Sequence, residues 1–465
     1  MKKYDAVVIG SGASGLTSAI LFSKRGKKVA LLEQSDHLAP LLSGFDRLGV
    51  HFETGFHYSG ILGKDEAGGF LFDELGIDAP VRQCQKEDYD VAYLVDSKRS
   101  FRMPLGVQNW IEQLNEFFPH EKEGIKKYFD LVKQTIDATP FLNIHKRHYK
   151  NEEFFYFNAD KKTLKEVLDE CFKTDEIKSA LSFSTSLYGT PPSKSSFFLH
   201  CCCGAIMYES AWKFVGGARS FVNACKKVLD RNGVDIFLSS KVNRISLKQD
   251  LKVLTLDNGQ QLECDFCISS IHPKELIKIA PPEIYRQRNL DRIKNTAETP
   301  GFFISYAISK NPQKYNISNL AFLKSADFLN DHKDSMYINF SENLPQAVQF
   351  SMRVNSNSKQ WDMPRDEYKK TKEQMMQKIK SIVNQYRPDI WENMNFVEQA
   401  TPLTMKRYTN YYGAYGMMHS SNDAAIMPIT KIPGLFLVGQ AVVAPGLIGA
   451  MISAFLLDKM FGLRK

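Results

Sequence analysis

Hydrophobic residues crowd the start of the chain without alternation. Residues 4–9, YDAVVI, form a continuous apolar, β-branched run of the kind carried by a strand buried on both faces. The run ends in GSGASG and gives way to LTSAILFSKRG, a helical stretch. A second apolar run, VALL at 29–32, ends in Glu33. Strand, glycine turn, helix and strand predict the first βαβ unit of a doubly wound sheet. Residues 106–185 read mostly as amphipathic helices, such as VQNWIEQLNEFF and LKEVLDECF. Alternation returns in VDIFLSSKVNRISL and KVLTLDNGQQLECDFCISS, where Asn258-Gly259 marks a hairpin turn. Residues 276–395 mix strands, FFISYAIS and AVQFSMRV, with a long polar helix between Arg365 and Tyr386. The chain closes with PGLFLVGQ, a buried strand, the turn APGLIG and the apolar helix AMISAFLLDKMF.

At 465 residues the chain exceeds what one core usually holds, so two intertwined domains are expected. The pattern predicts an α/β fold: a Rossmann-type domain built from the discontinuous segments 1–78, 205–275 and 398–465, plus an α+β substrate domain. Segments 79–204, mostly helical, and 276–397 supply the second domain. Between Leu435 and Leu457 only Gln440 and Ser453 are polar, a length that fits a bilayer. Pro445 with Gly439, Gly446 and Gly449 splits this run into strand, turn and helix, so a buried cofactor-facing element is expected instead.

The glycine spacing has a chemical reason. Gly10 permits the tight turn, Gly12 lets the backbone approach a pyrophosphate, and Gly15 allows the helix to pack closely on the strand. Ala13 and Ser14, at the helix start, present backbone N–H groups and a partial positive charge to the phosphates. Glu33, 18 residues after Gly15, suits ribose hydroxyls. Only one such fingerprint is present, so one dinucleotide is expected and a separate nicotinamide module is disfavoured. FAD is preferred over NAD because the second strand-turn-helix at the chain's close suits an extended flavin nucleotide.

Composition narrows the rest. With 43% hydrophobic and 24% charged residues the chain is an ordinary globular protein. The balance of 60 basic against 52 acidic residues, a net +8 spread along the chain, does not indicate nucleic acid. Phe141 to Phe157, FLNIHKRHYKNEEFFYF, interleaves basic and aromatic residues as an interfacial patch does, so peripheral membrane contact stands beside the reading of a solvated helix edge. Eight cysteines and no secretory leader point to a reducing, cytoplasmic setting. Cys201, Cys202 and Cys203 are adjacent and lack zinc-site spacing, so they are expected in the core and no metal is expected.

Six blocks then occur in order: GSGASGLTSAI, ETGFHYSG at 53–60, TPPSKSSFFLH at 190–200, WKFVGGARSF at 212–221, TPLTMKRYTN at 401–410 and PGLFLVGQAVVAPGLIGAMISA at 433–454. Together they resemble the phytoene desaturase, carotenoid isomerase and retinol saturase superfamily over nearly the whole chain. The resemblance implies a glutathione-reductase-like FAD domain and a lipid-sized tunnel. It implies desaturation, saturation or isomerisation of long apolar isoprenoids, with GFHY and VGQ closer to the isomerase and saturase branch. It also implies that Val242 contacts adenine through its backbone and that Gly439 and Gln440 lie near the ribityl and pyrophosphate. Gly446, Leu447, Ile448 and Gly449 would then flank the isoalloxazine. Two departures stand out: Ala39 and Pro40 occupy the place of a paired glycine, and Gln440 replaces a commonly acidic residue. Proline removes a donor and fixes φ, so the flavin contact there is expected to differ.

Redox chemistry at a polyene is carried by the flavin and asks little of side chains. His57 and Tyr58, in the ETGFHYSG block, are the candidates for a proton donor or substrate-orienting pair, against a packed structural role. His200 is expected to be a satisfied core residue, and His272 is assigned no role. The expected partner is an apolar small molecule, with the electron partner open. Two other classes stay in view: an amine-oxidase-like flavoenzyme, and a flavoprotein that binds a lipid or partner without catalysis.

Overall fold

The computed structural model describes residues 2–84, 90–146, 162–312, 319–324, 335–340, 346–356, 358–420 and 426–462. Two seven-stranded sheets dominate it. In the first, Lys2–Ile9 is central, paired in parallel with Val29–Leu32 on one side and Gln261–Ser269 on the other. Asp235–Phe237 and Leu435–Leu437 extend it in parallel, and the strands Val242–Lys248 and Leu251–Leu256 add antiparallel edge pairing. Residues near positions 6, 30, 236, 267 and 436 thus lie side by side.

The helix Ala13–Lys24 is buried continuously from Ser14 to Phe22, which explains its apolar character all round. It packs on Lys2–Ile9 and against the closing helix Leu447–Gly462. Arg25, just past its end, forks onto Asp458 of that closing helix, with Nη2 2.9 Å from Oδ2. Among the described residues no helix is long and apolar enough to cross a membrane, and the Leu435–Leu457 run resolves into strand, turn and helix.

The second sheet runs in the order Met394–Ala400, Gly301–Ser309, Ala347–Val354, Met336–Phe340, Asn319–Leu323, Asp90–Leu94, Arg99–Met103. Period-2 alternation divides its side chains between two faces. Phe303, Phe322, Ile338 and Phe350 pack into a core with Ile379 and Val383 of the polar helix Arg365–Tyr386. Phe302, Ile304 and Tyr306 face the other way, toward the first sheet. Helices Val107–Phe117, Lys122–Asp137, Leu164–Cys171 and Asp175–Ser182 gather over a core containing Tyr128. Segment 79–204 is therefore not helical alone: it also supplies Val81–Gln83, Asp90–Leu94 and Arg99–Met103. Asp90–Leu94 alternates buried and half-buried positions over only five residues, too short a run to stand out by periodicity. Residues 147–157 of the interfacial stretch lie outside the described residues.

His200 is fully buried, with Nε2 2.8 Å from the Tyr128 hydroxyl and Nδ1 3.2 Å from that of Tyr188. It is the satisfied core histidine the sequence suggests. Ala39 is a different matter. It is buried with φ 45° and ψ 60°, the left-handed region that favours glycine, and its N–H donates to Ser11 Oγ at 2.8 Å. Pro40 follows at the first position of the short helix Pro40–Ser43, where a missing N–H breaks no helical bond. Pro40 also borders the cavity between the sheets, where it offers no N–H.

Two outcomes follow from this packing. Ala39→Gly relieves the left-handed strain, offset in part by greater unfolded-chain freedom, and should stabilise by roughly 0.5 kcal/mol. A urea midpoint that does not rise would show position 39 to be unstrained. Burial holds His200 down to about 3, against 6.5 for an ordinary histidine. Between those values the unfolded chain binds the extra proton, so this contribution is complete above pH 6.5 and is lost as pH falls toward 3. His200→Gln should destabilise at pH 7, and by about 2 kcal/mol less at pH 5. An equal deficit by urea titration at both pH values would refute the assignment.

Candidate functional site

A cavity of about 930 Å³ opens between the two sheets. Its first wall gathers the residues read as a nucleotide fingerprint. Gly10, Gly12, Ala13, Ser14, Glu33, Val242, Gly439, Gln440 and the run Gly446–Gly449 all border it. Gly15 lies beneath, where a Cβ would fall 1.9 Å from the Gly10 carbonyl oxygen. Gly12 has an ordinary φ of −60°, and a Cβ there would meet nothing within 4 Å. Its value is the open space in front of it. The helix Ala13–Lys24 carries no side-chain cap, so its first N–H groups are free for an anion. The closing helix begins at the same cavity, preceded by Gly446 at φ +94° and open in the same way.

Glu33 is buried and tightly held. Its Oε2 accepts the Ser11 N–H at 2.9 Å and the Ser11 hydroxyl at 2.6 Å, while Oε1 accepts the Ser35 N–H at 2.9 Å. Three of roughly four acceptor positions of the carboxylate are filled by these bonds, which fixes its direction and leaves capacity for a ribose hydroxyl. An extended dinucleotide fits this wall: a ribose acceptor, two glycine-opened helix ends and an edge strand at Val242.

At the far end of the wall stand residues with no role assigned from the sequence. His272 ends the loop after Gln261–Ser269, and its Nδ1 accepts the Lys274 N–H at 3.1 Å. Its buried Nε2 has no hydrogen-bond partner among the described residues, and its ring lies 4.5 Å from that of Tyr411. Burial, and then the charges of Lys274 and Lys278, hold it down to about 3, so it is neutral. A usable signal was present: His272 sits at the carboxyl end of a parallel strand, where ligands of such sheets collect. Tyr411, hydrogen-bonded to Gln440, is pushed up to about 12 by burial.

The second wall is apolar and aromatic, with Phe183, Ile206, Met207, Phe302, Ile304 and Tyr337 prominent. A polar row, Gln349, Ser351 and Arg353, runs through it on alternate residues of Ala347–Val354, all three buried. His57 and Tyr58 border the cavity here. The Nδ1 of His57 is buried without a hydrogen-bond partner among the described residues. Burial, then the nearby Lys213 charge, lowers His57 to about 4 against an opposing bond to Asn339. Tyr58 donates to Asp90 Oδ2 at 2.5 Å, and the amide of Asn319 donates to Asp90 Oδ1. Asp90 and Asn319 carry no local sequence signal, because strand pairing alone brings them together.

Cys202 and Cys203 also reach the cavity, from a π-helical turn spanning Cys201–Ala205. Cys203 is only partly buried in the fold, yet burial by its neighbours raises both thiols well above their ordinary value. Both are held as thiols rather than nucleophilic thiolates. Among the described residues no group of three or more His, Cys, Asp or Glu is placed to hold a metal ion.

The chain is similar to known proteins along nearly its whole length. The chain is 24% identical over 517 residues to the all-trans-retinol 13,14-reductase of Rattus norvegicus, covering 98% of this chain and 85% of that protein. It is 23% identical over 506 residues to prolycopene isomerase 2 of an Oncidium hybrid cultivar, covering 97% and 83%. The crystal structure of an oxidoreductase from Methanosarcina mazei shares the fold across 100% of both chains, with a TM-score of 0.69 at 13% identity. The resemblance carried by the ordered blocks is thereby borne out. With the profile of the flavin-containing amine oxidoreductases matching residues 13–455, the chain belongs to that family.

Proposed function

We propose that this chain is an FAD-dependent oxidoreductase acting on a carbon–carbon double bond of an isoprenoid or similar lipid, by saturation, desaturation or isomerisation. One observation carries the reading. One cavity joins a dinucleotide-shaped wall to a wall rich in apolar and aromatic side chains. The similarity to a retinol reductase and a prolycopene isomerase supports the same choice of substrate.

In this reading Val242 meets the adenine, Glu33 the ribose, and Gly12, Ala13 and Ser14 the pyrophosphate. Gly439 and Gln440 lie along the ribityl chain, and Gly446 to Gly449 face the isoalloxazine. Bound flavin supplies hydride transfer; the protein supplies position, dryness and a proton. The positive end of the helix Leu447–Gly462 favours negative charge at the reduced ring. His57, neutral above about pH 4, orients substrate or passes a proton, and Tyr58 is the proton donor. The division into a nucleotide domain (1–78, 205–275, 398–465) and a substrate domain (79–204, 276–397) belongs to the same reading. Peripheral contact with a membrane does too: Phe45, Asp46 and Arg47 border the cavity, and the next residue, Leu48, is 76% exposed at a hairpin tip.

Two experiments test the reading. Gly12→Val places a side chain in open space rather than in the core, so the protein should fold while its flavin affinity drops at least tenfold. Absorbance of the purified variant against its circular dichroism separates the two properties, and a fully yellow variant would exclude Gly12 from the cofactor cradle. Wild-type protein reduced by dithionite without oxygen should be reoxidised by a conjugated polyene lipid. Reoxidation by none, together with turnover of a primary amine and peroxide release, would move the assignment to amine oxidation.

A further inference from the structure

The cavity-facing side of the second sheet carries an unusual line of side chains. Tyr306 lies opposite Gln349, Gln349 opposite Asn339, Asn339 opposite Asn319, and Asn319 opposite Asp90. Five strands thus contribute one residue each to a transverse row, and all five residues are buried. Directly opposed side chains in a sheet lie within contact of one another. Here the contacts have a direction. The Asn339 amide donates to the Asn319 carbonyl oxygen at 2.5 Å, and the Asn319 amide donates to Asp90 Oδ1. Tyr58 donates to the other oxygen, Oδ2. His57 is bonded to Asn339. The adjacent residues His57 and Tyr58 are therefore joined a second time, through Asn339, Asn319 and Asp90.

A buried row of amides could serve packing alone, but amides alone would do that as well. Its terminus is a carboxyl group touching a phenol on the cavity wall. We propose that Asp90 is a positioning residue that resupplies the proton Tyr58 delivers to the substrate. This rests on reading the cavity as a site of double-bond reduction. In that reaction one carbon would take a hydride, the chemistry a bound flavin would supply. The other carbon, holding the displaced π pair, takes H⁺ from Tyr58 Oη once that hydroxyl has turned from Asp90 Oδ2 toward the cavity. The phenolate oxygen then takes the proton on Asp90 Oδ2, and the carboxylate regains one from water between turnovers. The two electrons come from the reduced flavin, itself reduced by an external two-electron donor.

The surroundings suit a carboxyl that gains and loses a proton. Burial raises Asp90 above the usual carboxylate range, opposed by the bonds from Tyr58 and Asn319 and by the charge of Lys213. Lys213, on Trp212–Phe214, is itself lowered by burial, with Cys84, Arg82 and Glu53 as its charged or titratable neighbours. Asn319 can donate only its amide hydrogens and carries no titrating proton, so the row fixes Asp90 without competing for its proton.

Asp90→Asn keeps the shape: its carbonyl still accepts from Asn319, while its amide, in the place of Oδ2, reverses the bond with Tyr58 and has no proton to transfer. Infrared spectra of the purified protein titrated downward in pH should show a carboxylic-acid carbonyl band, sensitive to D₂O, that appears at a higher pH than for an ordinary carboxyl, is lost in Asp90→Asn and is shifted in Tyr58→Phe. Turnover of a conjugated polyene with dithionite as reductant should fall about 100-fold in Asp90→Asn, with flavin content unchanged. Wild-type rates should decline as pH rises through the Asp90 midpoint, and this limb should vanish in Asp90→Asn and return in Asp90→Glu. The relay is overturned if no band is lost, or if Asp90→Asn keeps the wild-type rate and pH profile. A wild-type protein that binds flavin and shows the band, yet reduces no polyene, overturns the proposed reaction and the relay with it.

Discussion

With only 1.9 Å between the Gly10 carbonyl oxygen and the place a Cβ would take at position 15, the helix Ala13–Lys24 can seat directly on the first strand. That contact sets the height of the helix over the sheet. From it follows where the free N–H groups of its first turn emerge, beside Glu33 and at the carboxyl ends of the parallel strands. The closing helix packs on this one and so inherits its position. Two helix ends of positive sign converge on one cavity because both are referred to a single glycine. An alanine there would move both.

The second sheet meets a different demand. It presents an apolar surface to the cavity while holding polar groups among it. Alternation supplies both, since the face toward the helix Arg365–Tyr386 is almost wholly apolar and the opposite face mixes aromatic residues with Gln349, Ser351 and Arg353. Buried polar groups in such a wall are stable only when satisfied. Asn339 and Asn319 achieve this by each handing an amide hydrogen to the next acceptor along the row, while the Gln349 amide donates to Ser351 Oγ.

Much of the first sheet was legible because its signals are local. The fingerprint from Gly10 to Glu33, the hairpin at Asn258-Gly259 and the closing strand-turn-helix each lie within a few dozen residues, and the structure places them as read. The polar helix Arg365–Tyr386 matched to the residue. The departure at Ala39 was visible as a missing glycine, but only the backbone shows that alanine adopts the glycine's conformation there. What stayed hidden is non-local. Asp90 and Asn319 are 229 residues apart, and neither looks unusual in its own strand. His272 was legible in principle, from its place in the loop after a buried strand.

The pairing of Leu435–Leu437 with Gln261–Ser269, and of the last helix with the first, has a consequence for biosynthesis. During synthesis on the ribosome, the glycine loop emerges hundreds of residues before the strand and helix that complete its pocket. The early βαβ unit must wait with an exposed sheet edge and an uncovered helix face, a condition that invites mispairing. The cavity between the two sheets thus has its full wall only once translation has nearly ended. A chain released before the final strand lacks one side of that cavity.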